Sequence, residues 1–198
     1  MTTGLEITKL SVGPMDNNAY LLRCRTTGDG ILIDAANEAP KLLRLVEPQG
    51  IAAVVTTHRH PDHWMALQEV LSATGAESLA HPADAPEIPV VTSTLTEGDT
   101  VTVGDCTLEV IHLVGHTPGS IALYYAAEGG HLFTGDSLFP GGPGRTTNPT
   151  DFNSLMDDLE AKVFGPLPDS TVIYPGHGKD STLGTERPSI PDWRARGW

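Results

Sequence analysis

Residues 58–63 read His58-Arg59-His60-Pro61-Asp62-His63. Four metal-capable side chains, His58, His60, Asp62 and His63, share this one stretch. They follow an apolar run, Ile51-Ala52-Ala53-Val54-Val55, that reads as a buried strand. A strand end that delivers three imidazoles and a carboxylate to one point is read first as a metal site. His58 and His60 are two apart, so in an extended segment they point the same way. Pro61 breaks the strand, and Asp62 stands where a helix N-cap would be. The expected helix runs from His63 to about Thr74, with Leu67, Val70 and Leu71 inward and Gly75 as its stop. One short loop then offers ligands in two directions, enough for two metals. Imidazole and carboxylate together suit zinc, iron or manganese better than calcium or magnesium.

Three downstream residues extend the set. His116 lies in Gly115-His116-Thr117-Pro118-Gly119-Ser120, after the β-rich run 108–114. Asp136 lies in Thr134-Gly135-Asp136-Ser137, after His131-Leu132-Phe133. His177 lies in Pro175-Gly176-His177-Gly178, after Thr171-Val172-Ile173-Tyr174. Each closes an apolar run in a Gly-rich turn, where backbone can approach closely. His81, His112 and His131 are read as structural, in a surface turn, a half-buried strand and a hairpin start.

Together these segments resemble the metallo-β-lactamase-fold hydrolase superfamily, and most of all its glyoxalase II-like branch. The resemblance runs from Gly13-Pro14 and Asn17-Asn18-Ala19-Tyr20-Leu21 to Thr182–Arg187. It implies that His58, His60 and His116 hold one metal. It implies that Asp62, His63 and His177 hold a second, and that Asp136 bridges. The implied cofactor is two zinc ions, with iron or manganese as substitutes. The implied fold is α+β, a four-layer αββα sandwich. His60 stands where the flavodiiron branch has Glu, and Asp136 where the familiar β-lactamases have Cys nearby. Both differences point to hydrolysis and away from antibiotic cleavage.

The implied activity is thioester hydrolysis of the hydroxyacylglutathione hydrolase type, by a metal-bridging hydroxide that Asp62 orients or deprotonates. A thiolate leaving group, of pKa about 8.5, needs little acid assistance. No Lys or Tyr stands within the ligand motifs to give any. The alternative is a mononuclear iron persulfide dioxygenase on the same scaffold. Gly141-Gly142-Pro143-Gly144-Arg145 matches a family turn and makes Arg145 a substrate-binding candidate, for a carboxylate. Thr146–Thr150 departs from the family's usual acidic-aromatic run, and Trp64 is expected to wall the site. Only 21 residues follow His177 (198 − 177), which fits the short form without the C-terminal helical domain.

Composition bounds the rest. The 198 residues fit one domain, residues 1–198. The net charge of −13 disfavours nucleic acid, so the expected partner is a small-molecule substrate. No apolar stretch is long enough to span a bilayer, and the start lacks a signal-peptide pattern. Cys24 and Cys106 make no disulfide framework and read as buried thiols in a cytoplasmic setting. The tail carries Arg187, Arg194 and Arg196 beside Trp193 and Trp198, and reads as self-docking. Strands are expected over 5–12, 19–24, 30–35, 100–103, 106–112, 121–126 and 131–134. Helices are expected over 38–47 and around Phe152, Leu155, Met156, Leu159 and Val163.

Overall fold

The computed structural model describes residues 4–197. Alternation along the strands sorts side chains onto two faces of a first sheet. In β2 (Asn17–Cys24), Leu22 joins one apolar cluster and Leu21 another. In β3 (Gly30–Ile33), Ile31 and Ile33 face one way and Leu32 the other. A strand buried on both faces reads as a continuous apolar run, as these do. This sheet orders β1 (Leu5–Val12), β2, β3, β4 (Ala53–Val55), β5 (Glu77–Ala80) and β6 (Ser93–Thr94). The first three pair antiparallel, the last four parallel.

The second sheet holds the hairpins β7 (Thr100–Val103) with β8 (Cys106–His112), and β9 (Ile121–Tyr125) with β10 (His131–Gly135). A small hairpin follows, β11 (Leu138–Phe139) with β12 (Gly142–Pro143). Then β13 (Val172–Pro175) pairs parallel with β10, and β14 (Ser181–Thr182) closes the edge. Tyr20, Leu22, Ile31 and Val55 of the first sheet share a buried cluster with Val103, Leu108, Leu123 and Phe133 of the second. The sheets therefore pack face to face.

Helices cover both outer faces. Helix α1 (Ala39–Val46) and α2 (Leu67–Thr74) bury Leu42, Val46, Leu67 and Val70 against Leu21, Leu32 and Val54. On the other side, α3 (Pro149–Asp158) runs into a π-helical turn, Leu159–Phe164. After the short α4 (Leu183–Glu186), α5 (Ile190–Arg196) docks Trp193 into the same cluster. The layers are thus α, β, β and α, as expected. Trp193 is 2 % exposed, so the tail does dock on the body, whereas Trp198 lies outside the described residues. Both cysteines are buried and free.

Three expectations need correction. The helix expected from His63 begins only at Leu67, because Pro61–His63 form a single 3₁₀ turn and Asp62 lies inside it. Asp62 therefore caps nothing, and its carboxylate is left for the site. Trp64 packs with the α1–α2 cluster and donates from Nε1 to the Arg59 carbonyl at 2.7 Å, bracing the loop from outside. His81 is in a turn but buried, stacked on His112 with ring centroids 3.9 Å apart. The run 146–150 is also explained, since Asn148 accepts from the Asp151 amide and Pro149 opens α3.

Candidate metal centre

Four strand ends meet at one edge of the sandwich. The loop after β4 brings His58, His60, Asp62 and His63. The loop after β8 brings His116, the end of β10 brings Asp136, and the end of β13 brings His177. Parallel pairing explains this, because β3 with β4 and β10 with β13 present their carboxyl ends together.

The structure brings all seven predicted ligands together. His60 Nδ1 lies 3.0 Å from His58 Nε2 and 3.0 Å from His116 Nε2. One ring proton serves two such contacts poorly. A cation among the three nitrogens satisfies all of them, at bond lengths of about 2.0–2.1 Å for zinc. A second group is Asp62, His63 and His177. His63 Nε2 and His177 Nε2 are 3.2 Å apart, and Asp62 Oδ2 is 3.2 Å from His177 Nε2 and 3.5 Å from His63 Nε2. Asp136 spans the groups: its Oδ2 is 3.7 Å from His116 Nε2 and 3.5 Å from His177 Nε2, while its Oδ1 is 3.4 Å from His63 Nε2. Asp136 Oδ1 is buried without a hydrogen-bond partner. An orphaned carboxylate oxygen inside a ring of imidazoles is the fit that a cation requires.

Hydrogen bonds on the outer ring nitrogens set the tautomers. His63 Nδ1 faces Asp34 Oδ2 at 2.8 Å, His116 Nδ1 the Arg145 carbonyl at 2.7 Å, and His177 Nδ1 the Met15 carbonyl at 2.8 Å. Each must donate, because each partner can only accept. The Thr57 hydroxyl gives its proton to Asp34 Oδ2, so at 3.1 Å it accepts from His58 Nδ1. Four Nε2 lone pairs are thereby aimed inward.

Electrostatics divide the centre. Burial holds the pKa of His58, His60 and His116 below the ordinary value, which keeps these imidazoles neutral. Burial also opposes charge on His63, yet Asp34 and then Asp136 raise its pKa to about 10. His177 is raised mainly by its contact with Asp136. Burial pushes Asp136 up, but His177 and His63 outweigh it and hold it well below the usual carboxylate range. The Asp62 side of the centre thus calls for positive charge, which a proton or a metal ion supplies.

Three supporting residues escaped the sequence reading. Asp34, 1 % exposed, accepts from the Thr57 amide at 2.7 Å, the Thr57 hydroxyl at 2.8 Å and His63. Asp84 accepts from the Arg59 amide, the Thr117 hydroxyl and the Gly119 amide, tying the His58–His63 loop to the His116 loop. Asn17, quoted only as part of the family resemblance, donates from Nδ2 to Asp62 Oδ2 at 2.9 Å and to the Asp62 carbonyl at 3.0 Å. Asp34 closes the apolar run Ile31-Leu32-Ile33 as Asp136 closes its own, and that placement was its available signal. Gly176 is required for close approach: a Cβ there would lie 2.1 Å from Asp136 Oδ1.

Two clefts adjoin the centre. The smaller, about 220 Å³, includes Arg59, His60, His116, Thr147 and Asp151. The larger, about 470 Å³, includes Gly144, Arg145, Thr147, Phe152 and Arg196. Arg145 holds His116 Nδ1 through its carbonyl and is among the residues lining this cleft. His81, His112 and His131 belong to none of the possible metal-holding groups among the described residues.

The sequence model of the Metallo-beta-lactamase superfamily matches residues 12–177. A hydroxyacylglutathione hydrolase of Rhodospirillum rubrum is 38 % identical over 164 residues, covering 82 % of this chain and 62 % of that protein. The chain thus spans under two thirds of that relative. Among solved structures, TTHA1623 in a di-iron-bound form superposes with a TM-score of 0.81 at 31 % identity, covering 94 % of this chain and all of that one. ETHE1 from Myxococcus xanthus gives a TM-score of 0.83 at 27 % identity, covering 94 % of this chain and 83 % of that one.

Proposed function

Because the chain belongs to the metallo-β-lactamase superfamily and has its fold, we propose that it is a metal-dependent hydrolase of thioesters, of the hydroxyacylglutathione hydrolase type. The observation that supports this most is the inward aim of four imidazole lone pairs around Asp136, whose carboxylate reaches both ligand groups. In this reading His58, His60 and His116 would hold one ion and Asp62, His63 and His177 a second, with Asp136 available to both. When bound, such a pair acidifies water toward neutrality and polarises an acyl carbonyl.

The chain's own residues do the rest. Asn17 fixes the Asp62 carboxylate, leaving Asp62 to orient the attacking water and take its proton. Asp34 and the carbonyls of Met15 and Arg145 hold the imidazoles in one tautomer. Arg145 binds a substrate carboxylate. No helix of the described residues is long and apolar enough to cross a membrane, and the substrate is a small molecule.

A second reading, an iron persulfide dioxygenase using His58, His60, His116 and Asp136, is favoured by the likeness to ETHE1. Metal content separates the two. Elemental analysis of protein purified without added metal is expected to show about two ions per chain, zinc or a zinc–iron mixture. A single iron, with oxygen uptake on a glutathione persulfide, would select the dioxygenase. A parallel panel then tests substrate class: S-lactoylglutathione is expected to be cleaved faster than nitrocefin or a phosphodiester. Brisk lactam or phosphodiester turnover without thioester cleavage overturns the reading.

A further inference from the structure

The tail helix puts a cation where the sequence reading expected none. Trp193 anchors α5, its ring centroid 6.0 Å from that of Phe164. Three residues on, one helical turn, Arg196 rests on the bare backbone of Gly142, where a Cβ would lie 2.9 Å from its guanidinium. From there it lines the larger cleft opposite the Gly144-Arg145 turn. Thr147 lines both this cleft and the one containing His60 and His116, so the two guanidiniums lie in the cleft next to the one at the metal centre.

The charge pattern makes this placement unusual. The chain has 25 acidic residues against 12 Lys and Arg. Arg187 is paired with Asp169, and Arg194 with Asp157 and Glu160. Among the described residues neither Arg145 nor Arg196 has a carboxylate partner. The acid of the smaller cleft, Asp151, is engaged by the Thr147 hydroxyl and the Asn148 amide. A surface of net charge −13 repels an anionic substrate. Two unpaired guanidiniums beside the mouth of the centre reverse that locally, and their planar forks suit carboxylate or phosphate oxygens.

We propose that Arg196, together with Arg145, forms an anion subsite that holds the carboxylate or phosphate end of the thiol carrier while the thioester lies at the metal centre. The proposal rests on the thioester reading for its substrate and on the cleft alone for its ligand class. Binding energy placed at the carrier end acts in the ground state, so it lowers KM more than it raises kcat.

The test compares S-acetyl esters of three thiols: glutathione, phosphopantetheine and the neutral N-acetylcysteamine. At low salt the wild type is expected to show lower KM for the charged carriers, and the advantage should shrink as salt rises. Arg196→Ala is expected to reduce the KM ratio between neutral and charged carriers by about tenfold. Arg196→Lys should restore part of it, and the outlying Arg44→Ala none of the loss. The better of the two charged carriers identifies the anion. Calorimetry with S-methylglutathione, which cannot be hydrolysed, supplies a readout that needs no turnover. Weaker binding of it to Arg196→Ala sustains the subsite even if no thioester is cleaved, in which case only the hydrolase reading falls. Equal KM for neutral and charged carriers in the wild type overturns the subsite. So does a loss in Arg196→Ala that is the same for all three. Arg196 is exposed, so melting of both variants is expected to match the wild type.

Discussion

Asp136→Ala is expected to abolish turnover, lowering kcat/KM on the order of 10³-fold or more, and to strip metal from the protein. The carboxylate reaches both ligand sets, at 3.7 Å from His116 Nε2 and 3.5 Å from His177 Nε2. Removing it takes away the main charge that favours a cation beside His177, and leaves His63 with Asp34 alone. His116→Ala should be similarly inactive, because it breaks the His58–His60–His116 group. His131→Ala is the control and should leave activity and metal content within error. His131 begins the strand that Asp136 follows, and it bonds the Tyr174 hydroxyl at 3.0 Å. Metal analysis and steady-state kinetics on the three purified variants make the comparison. Equal damage from His131→Ala and Asp136→Ala would show that the ligands are wrongly assigned.

Asp34→Ala is expected to cost stability and metal affinity together, although Asp34 is outside the seven ligands. Its carboxylate receives three buried donors, two from Thr57 and one from His63. Deleting one partner of such a buried network costs about 3–5 kcal/mol. Freeing His63 to change tautomer should weaken the metal about 10- to 100-fold. Asp34→Asn keeps the volume but cannot accept at both oxygens, so it should fall between. Thermal melts with and without chelator separate the two effects. A variant that melts as the wild type does and retains full metal content would remove Asp34 from the argument.

The clustering of these side chains is legible because His58–His63 follow one apolar run and His116, Asp136 and His177 each close another in a Gly-rich turn, a local pattern that needs no knowledge of the partner strand. The layers were legible in part. Hairpin strands 100–103 and 106–112 fall where alternation and the Gly104-Asp105 turn put them. What was hidden depends on distant partners. Asp84 is an ordinary loop acid until folding brings the Arg59 amide and the Thr117 hydroxyl to it. The start of α2 differs from the expected one because Pro61 and Asp62 suit a 3₁₀ turn as well as an α-helix start. Trp64 was misassigned because sequence gives no side for a residue leaving a turn; its indole went to the helix layer. Arg196 reads in sequence as part of a self-docking tail and not as a binding group, because the side on which a docked helix presents its cations depends on where its anchor, Trp193, is buried.

The ligand set is also a timetable. His63 and His177, whose Nε2 atoms end 3.2 Å apart, are separated by 114 positions. At 5–20 residues per second, a ribosome needs roughly 6 to 23 s to make the second after the first. Throughout that interval the donors of the first sheet exist without that of His177, and until 73 positions after His63 (136 − 63) without Asp136 as well. The His58–His60–His116 group has its full complement of residues 61 positions before His177 is made (177 − 116), whereas the Asp62–His63–His177 group does not. The second donor group therefore closes last, when β13 docks and brings His177 to Asp62 and His63.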